Sequence, residues 1–233
     1  GTEAKRTGHR VARILIAEDS PVNREVAVGM LEILGYQVEM AENGRQALEL
    51  AGRSQFDLVL MDCQMPEMDG FTATGEIRRR EAASGQRRLT IIALTANAMQ
   101  GDREQCLAAG MDDYLTKPYT QVQLQTVVQK WLDKQGTDRA LAPVFSSTQA
   151  VSGESAPAAA APPPSTPSMD PKALDGIRAL QRPNRPDVLA SVLRKYLDNS
   201  RDSVDALQDA IRANDPAGLQ AVAHRLKSSS AQL

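Results

Sequence analysis

Leu58-Val-Leu-Met-Asp62-Cys-Gln-Met-Pro-Glu-Met-Asp-Gly70 is a short apolar run that ends on one carboxylate and then turns, at Pro66 and Gly70, into a helix-like segment. Four apolar residues ahead of Asp62 predict a strand buried on both faces, as in a parallel sheet. The last residue of such a strand lies at the carboxyl edge of the sheet, where open α/β folds place their ligands. An Asp in that position also serves simply to cap the next helix. The ends of the other strands decide between these two readings.

Upstream, Val11-Ala-Arg-Ile-Leu-Ile-Ala17 reads as a first strand running into Glu18-Asp19. Ser20-Pro21 then has the form of a helix N-cap followed by a first helical residue. Val22, Val26, Met30 and Leu34 mark an apolar helix face that stops at Gly35. Tyr36, Val38 and Met40 alternate with polar residues, the pattern of a strand near a sheet edge. Asn43-Gly44 opens a second helix with Ala47, Leu48 and Ala51 on its inner side.

Downstream of Asp62, a helix through Phe71, Ile77 and Arg80 precedes a fourth strand, Leu89 to Leu94, ending at Thr95. A helix over Met99 to Ala109 follows. Tyr114-Leu115 is a short fifth strand ending at Thr116-Lys117-Pro118, and a last helix carries Val122, Leu124, Val127, Val128, Trp131 and Leu132. Five strand–helix alternations over residues 11–135 predict a parallel sheet with helices on both faces.

Residues 136–169 change in composition to Ala, Pro and Ser, with the run Pro162-Pro-Pro164. A segment so poor in large apolar side chains reads as a flexible linker, spanning about 30 Å as a random coil. From residue 170 to 233 the pattern is purely helical. Leu189, Val192, Leu193, Tyr196, Leu197, Val204, Leu207 and Ile211 recur at steps of three and four. Asn214-Asp215-Pro216 breaks this stripe, and in the next helix Leu219, Val222, Ala223, Leu226 and Leu233 are expected to face inward. Gln220, His224, Lys227 and Ser228 fall on the other face, which Ala231 continues.

The chain has 233 residues, 42% hydrophobic and 24% charged, with a formal net charge of -2. That balance gives no electrostatic case for nucleic acid, and no Lys/Arg block points to an anionic membrane. No segment reaches the apolar length of a membrane span. Cys63 and Cys106 have no metal-ligand spacing and read as reduced thiols. The start at Gly1-Thr-Glu is expected to be a cut within a longer, cytoplasmically exposed protein.

Strands one, three, four and five thus end at Glu18-Asp19, Asp62, Thr95 and Lys117. In a sheet ordered 2-1-3-4-5 these ends meet in one crevice. Three carboxylates held together repel, and an all-oxygen site with room for water suits Mg²⁺. Lys117 adds a fixed positive charge and Thr95 a hydroxyl donor. The set suits a tetrahedral anion being attached to Asp62.

These residues resemble the receiver domain of two-component response regulators, a flavodoxin-like fold. The family's acidic pair, phosphorylatable Asp, Thr or Ser, and Lys-Pro are matched in order by Glu18-Asp19, Asp62, Thr95 and Lys117-Pro118. The resemblance implies Mg²⁺ on Glu18, Asp19, Asp62 and the backbone carbonyl of Gln64. It implies a β-aspartyl phosphate on Asp62 held by Thr95 and Lys117, with Tyr114 as the switch aromatic that turns inward when Thr95 moves. It also implies a cis peptide before Pro118, and a tuning role for Gln64 and Asn97 in attack by water.

Ala223-His-Arg-Leu-Lys-Ser228 resembles the core of a histidine phosphotransfer domain, with Ser228 where that family usually has glycine. Lys227 lies one turn from His224, where its charge steadies a phosphoryl group, and an imidazole is a competent nucleophile and leaving group near pH 7. Phosphotransfer domains are four-helix bundles, which these residues do not complete. A homodimer or a helix swap through the C-terminal helices is therefore open.

The implied function is a phosphorelay at the C-terminal end of a hybrid sensor histidine kinase. A kinase phosphohistidine in the dimerisation domain is the donor to Asp62, His224 receives next, and the receiver of a downstream regulator is last. Nothing resembles a kinase ATP-binding motif, so autophosphorylation is not expected. Two rivals use the same residues. An aspartate-nucleophile phosphatase shares Mg²⁺, Asp, Thr and Lys but usually carries Asp-x-Asp after strand one, where this chain has Glu18-Asp-Ser-Pro21. A receiver acting unphosphorylated as a protein-binding module is the other.

Overall fold

The structure, a computed structural model, describes residues 11–85, 87–96, 100–135, 177–181 and 187–230. The expected linker, Asn97, Leu233 and Ala231 lie outside them. Strands and helices alternate as β1 (Arg13–Ala17), α1 (Pro21–Ile33), β2 (Gln37–Ala41), α2 (Gly44–Arg53), β3 (Leu58–Asp62), α3 (Gly70–Ser84), β4 (Thr90–Thr95), α4 (Gln100–Ala108), β5 (Asp113–Thr116) and α5 (Gln121–Lys134). The C-terminal helices are α6 (Val188–Arg212) and α7 (Pro216–Ser230). All strands are parallel, in the order β2-β1-β3-β4-β5.

The apolar runs of β1, β3 and β4 divide between two cores because strand side chains alternate. Ile14, Ile16, Leu58, Leu60, Ile92 and Leu94 meet Ala27, Val28 and Leu31 of α1 and Leu124, Val128 and Leu132 of α5. Leu15, Val59, Met61, Ile91 and Ala93 face Ala47 and Leu48 of α2, Ala73 and Ile77 of α3 and Cys106 of α4. Burial on both sides explains why these strands read as unbroken hydrophobic runs. Local signals set the helix starts. The side chains of Ser20, Asn43, Asp69 and Thr120 accept hydrogen bonds from backbone amides as N-caps of α1, α2, α3 and α5.

Several expectations about faces are corrected. Of the α1 stripe, Val22 and Val26 do not join the core on the sheet, which Ala27, Val28 and Leu31 fill instead. Val22 and Val26 form a third core with Ile177, Leu180, Val188 and Val192, flanked by Ile33, Leu189, Leu193 and Tyr196. Met30 borders both cores. Helix α1 is therefore apolar on two sides, which a single-stripe reading cannot separate. Met40, on edge strand β2, and Val122, in the first turn of α5, are exposed because no described element covers them.

In the C-terminal helices, Leu197, Val204 and Ile211 are exposed, while Val188, Val192, Ser203 and Ala210 are buried. Helix α6 meets α1 over its first half and packs with α7, contacts that leave Leu197, Val204 and Ile211 of its apolar stripe exposed among the described residues. Ala223 is exposed and Val222 carries the inner side of α7. A Lys195–Glu25 ion pair at 2.6 Å joins α6 to α1 beside the third core.

Gly70 is required by close approach. A Cβ there would sit 2.1 Å from the Asp62 carbonyl oxygen and 3.0 Å from Met61 Cγ. Its amide donates to the Cys63 carbonyl at 3.1 Å, so the start of α3 lies directly against the end of β3. Backbone cannot yield as a side-chain tip does. Gly70→Ala is expected to cost about 3 kcal/mol or more, read as a lowered urea midpoint with an unchanged slope.

Candidate active site

Side-by-side strands bring the predicted residues together. Asp62, the last residue of β3, pairs in register with Leu94, one residue before Thr95. Thr95 pairs with Thr116, and its carbonyl accepts from the Lys117 amide at 2.7 Å. Glu18 follows β1 directly, and its amide donates to the Ala41 carbonyl of β2 at 3.1 Å. The crossing from β1 to β3, between neighbours that are not consecutive in sequence, opens the crevice at this edge.

Lys117 stands at the centre. Its Nζ donates to Asp62 Oδ2 at 2.6 Å and to Glu18 Oε2 at 2.5 Å. Glu18 Oε1 also accepts from the Asn23 side-chain amide at 3.0 Å. Asp62 Oδ1 accepts from the Gln64 amide at 3.2 Å. Glu18 and Asp62 are buried, Asp19 is half-buried, and one carboxylate oxygen from each of the three lies within 4.8 Å of the others.

One ammonium does not balance two buried carboxylates. Burial raises the carboxyls of Glu18 and Asp62 above their ordinary values of 4.5 and 3.8, against the lowering effect of Lys117. Burial alone would lower the Lys117 ammonium, but Glu18 and Asp62 outweigh it and hold the lysine charged well above its usual range. The pocket thus has a surplus of negative charge and an all-oxygen donor set. That fits a hard divalent cation such as Mg²⁺, whose charge would replace the proton the carboxylates otherwise retain. Glu18, Asp19 and Asp62 are the side chains that would hold it.

Tyr114 of β5 is half-buried against the core containing Cys63, Cys106, Met111 and Ala93. The Lys117–Pro118 peptide is cis, as the resemblance implied. Three contributors were missed from the sequence. Tyr119 is buried close enough to Glu18, Lys117 and Asp62 to feel their charges, and burial pushes its phenol up. Asn23 anchors Glu18, and Arg24 donates to the Glu18 carbonyl at 2.8 Å while pairing with Glu42 at 2.9 Å. Helical spacing from Glu18 signals Asn23 at best weakly, and nothing local signals Tyr119. His224 lies within α7, but its side chain and those of Lys227 and Ser228 fall outside the described residues.

A parallel 2-1-3-4-5 sheet with an acidic pair, an aspartate, a threonine and a lysine at its carboxyl edge is the arrangement of a receiver-type domain. Residues 14–129 match the family model described as the response regulator receiver domain, and residues 191–233 match the Hpt domain. The chain is a receiver domain followed by Hpt-family sequence, homologous to hybrid sensor histidine kinases.

It is 47% identical over 122 residues to the sensor protein GacS of Pseudomonas syringae pv. syringae, a match that covers 52% of this chain and 14% of that protein. The chain therefore spans about a seventh of that relative's length. The receiver domain of the Saccharomyces cerevisiae regulator Ssk1, solved in complex with the histidine phosphotransfer protein Ypd1, is represented by a structure that is 30% identical. That match has a TM-score of 0.52 and covers 54% of this chain and 91% of that one. The receiver domain of sensor histidine kinase PA1611 from Pseudomonas aeruginosa, with a magnesium ion in its active-site cleft, is 49% identical. Its TM-score is 0.49, over 53% of this chain and 99% of that one. Among the described residues no helix is long and apolar enough to cross a membrane.

Proposed function

We propose that residues 11–135 accept a phosphoryl group on Asp62 in a Mg²⁺-dependent step, and that residues 170–233 pass it onward through His224. The single observation that carries the first step is the Asp62 carboxylate held by Lys117 beside the oxygens of Glu18 and Asp19. An Asp62 oxygen attacks phosphorus in line, the P–N bond of the donor phosphohistidine breaks, and the leaving imidazole takes a proton. Lys117 holds phosphoryl oxygens as it now holds Asp62, and the Thr95 hydroxyl donates to another. Glu18, Asp19, Asp62 and the Gln64 carbonyl would hold Mg²⁺, which when bound would supply positive charge to the transferring group. Tyr114 follows Thr95 as the reporter of the phosphorylated state.

Protons and metal compete for the same oxygens, which sets a pH dependence. With the carboxyls of Glu18 and Asp62 raised, acid favours the protonated, metal-poor pocket. Mg²⁺ affinity is expected to rise with pH above the ordinary carboxylate range and level off once both groups ionise. The slope is at most about tenfold per pH unit for each proton displaced. Calorimetry in buffers of different ionisation enthalpy would count the protons released. Affinity independent of pH would contradict this reading of the pocket.

Support for the second step comes from the third core. Ile177, Leu180, Val188 and Val192 pack against Val22 and Val26 of α1, so the start of the helical segment rests on the helix that leads out of the Glu18-Asp19 corner. The Ssk1–Ypd1 pairing shows a similar receiver engaged by a phosphotransfer protein. The donor here would be a kinase dimerisation domain, and the final acceptor the receiver of another regulator. In the test, Asp62 is first labelled and the phosphoryl group then traced in the His224→Gln protein. Acid-labile phosphohistidine is expected in the parent chain and absent from the variant. Equal onward transfer would remove His224 from the relay. Chelating the metal is expected to stop the first step as well.

A further inference from the structure

Cys63 and Cys106 are the two cysteines of the chain, and folding brings their Sγ atoms to 3.8 Å although 43 positions separate them. Both are thiols outside any disulfide, buried in the core beneath α2, α3 and α4. Cys63 directly follows Asp62 and is fixed at both ends of its peptide. Its amide donates to the Leu94 carbonyl at 3.0 Å, and its carbonyl accepts from the Gly70 amide. Cys106 rides on α4, the helix that follows Thr95 in the chain. A disulfide needs sulfurs about 2.05 Å apart, so the two must approach each other from the 3.8 Å contact they already make.

We propose that Cys63 and Cys106 form a redox modification site, where a small peroxide joins them in a disulfide that ties α4 to the end of β3 and slows phosphorylation of Asp62. The sulfur of one thiol attacks a peroxide oxygen, the O–O bond breaks, and a sulfenic acid and one water result. The second thiol attacks the sulfenic sulfur, forming the S–S bond and releasing the oxygen as a second water. Two thiols lose two electrons and two protons, and one peroxide becomes two waters. Because the pair is buried, a large oxidant is excluded and reaction waits on α4 lifting from the sheet.

The effect on phosphorylation rests on the reading of Asp62 given above. Thr95 has to adjust to grip a phosphoryl oxygen, and Tyr114, the reporter of that adjustment, packs in the same core as the two thiols. A covalent tie between β3 and α4 removes that freedom.

The test treats the whole reduced chain with hydrogen peroxide, alkylates it in denaturant, and maps the cysteine peptides by mass. Expected is an intrachain Cys63–Cys106 peptide lighter by two hydrogens, reversed by dithiothreitol and absent in Cys106→Ser. Free alkylation of both thiols, chain-to-chain disulfides alone, or sulfinic acid alone would overturn the site. The oxidised chain is expected to label with acetyl phosphate and Mg²⁺ about tenfold more slowly than the reduced one. Cys106→Ser is expected to be indifferent to peroxide. A mapped disulfide with an unchanged labelling rate would overturn the regulatory half. If the reduced chain does not label at all, the Asp62 reading fails, while the peptide map still decides the disulfide.

Discussion

Asp62→Asn is expected to reduce labelling by a small phosphodonor with Mg²⁺ to below about 1% of the parent rate. Asn keeps the shape of the side chain but replaces the attacking carboxylate oxygen with a neutral amide. It also removes one of three carboxylates from the acidic cluster. The fold is expected to survive the change, because Lys117 retains Glu18 as its partner and the repulsion between residues 18 and 62 disappears. A urea melt therefore separates lost chemistry from lost structure. A stable, folded Asp62→Asn protein that still labels at the parent rate would end the assignment of Asp62 as acceptor.

Lys117→Met has the second-largest expected effect, and it divides into two readouts. The lysine is buried between Glu18 and Asp62, its side chain 5% exposed. Removing it leaves two buried carboxylates without their shared cation, a change that costs about 3–5 kcal/mol in buried pairs. The carboxyls are already raised by burial, so without the lysine they bind protons more tightly still in the folded state. The folded protein then holds more protons than the unfolded chain, and stability falls as pH rises through the carboxylate range. The deficit is expected to be larger at pH 8 than at pH 5, and Mg²⁺ is expected to relieve part of it. Labelling is expected to slow by about 10²–10³-fold, the loss seen when one preorganised charge-stabilising donor is removed. A deficit independent of both pH and Mg²⁺ would mean that Lys117 acts by packing rather than by charge.

Much of the receiver half was legible because its signals are local. An apolar run buried on both faces reads as a strand, an Asn or Ser before a helix reads as a cap, and chain order then assigns strand ends to one edge. Glu18, Asp19, Asp62, Thr95 and Lys117 all follow from that logic, and Asp62 and Thr95 sit on neighbouring strands as the order requires. The C-terminal half was less legible. A helix shows its apolar stripe but not what the stripe touches, so the periodicity points Leu197, Val204 and Ile211 inward although they stand exposed.

Sequence pattern alone was sufficient for the alternation of β1 to α5, for the acidic corner at Glu18-Asp19 and for the carboxylate of Asp62 at the end of β3. Each is written in residues adjacent to one another or spaced by a single helical or strand period. Tertiary structure alone decided which side of α1 meets the sheet and which receives Ile177 and Leu180, that Tyr119 and Asn23 crowd the acid pocket, and that two thiols 43 positions apart share one core. Contacts of that kind depend on how whole elements pack, and packing between distant segments leaves no periodic trace in the chain.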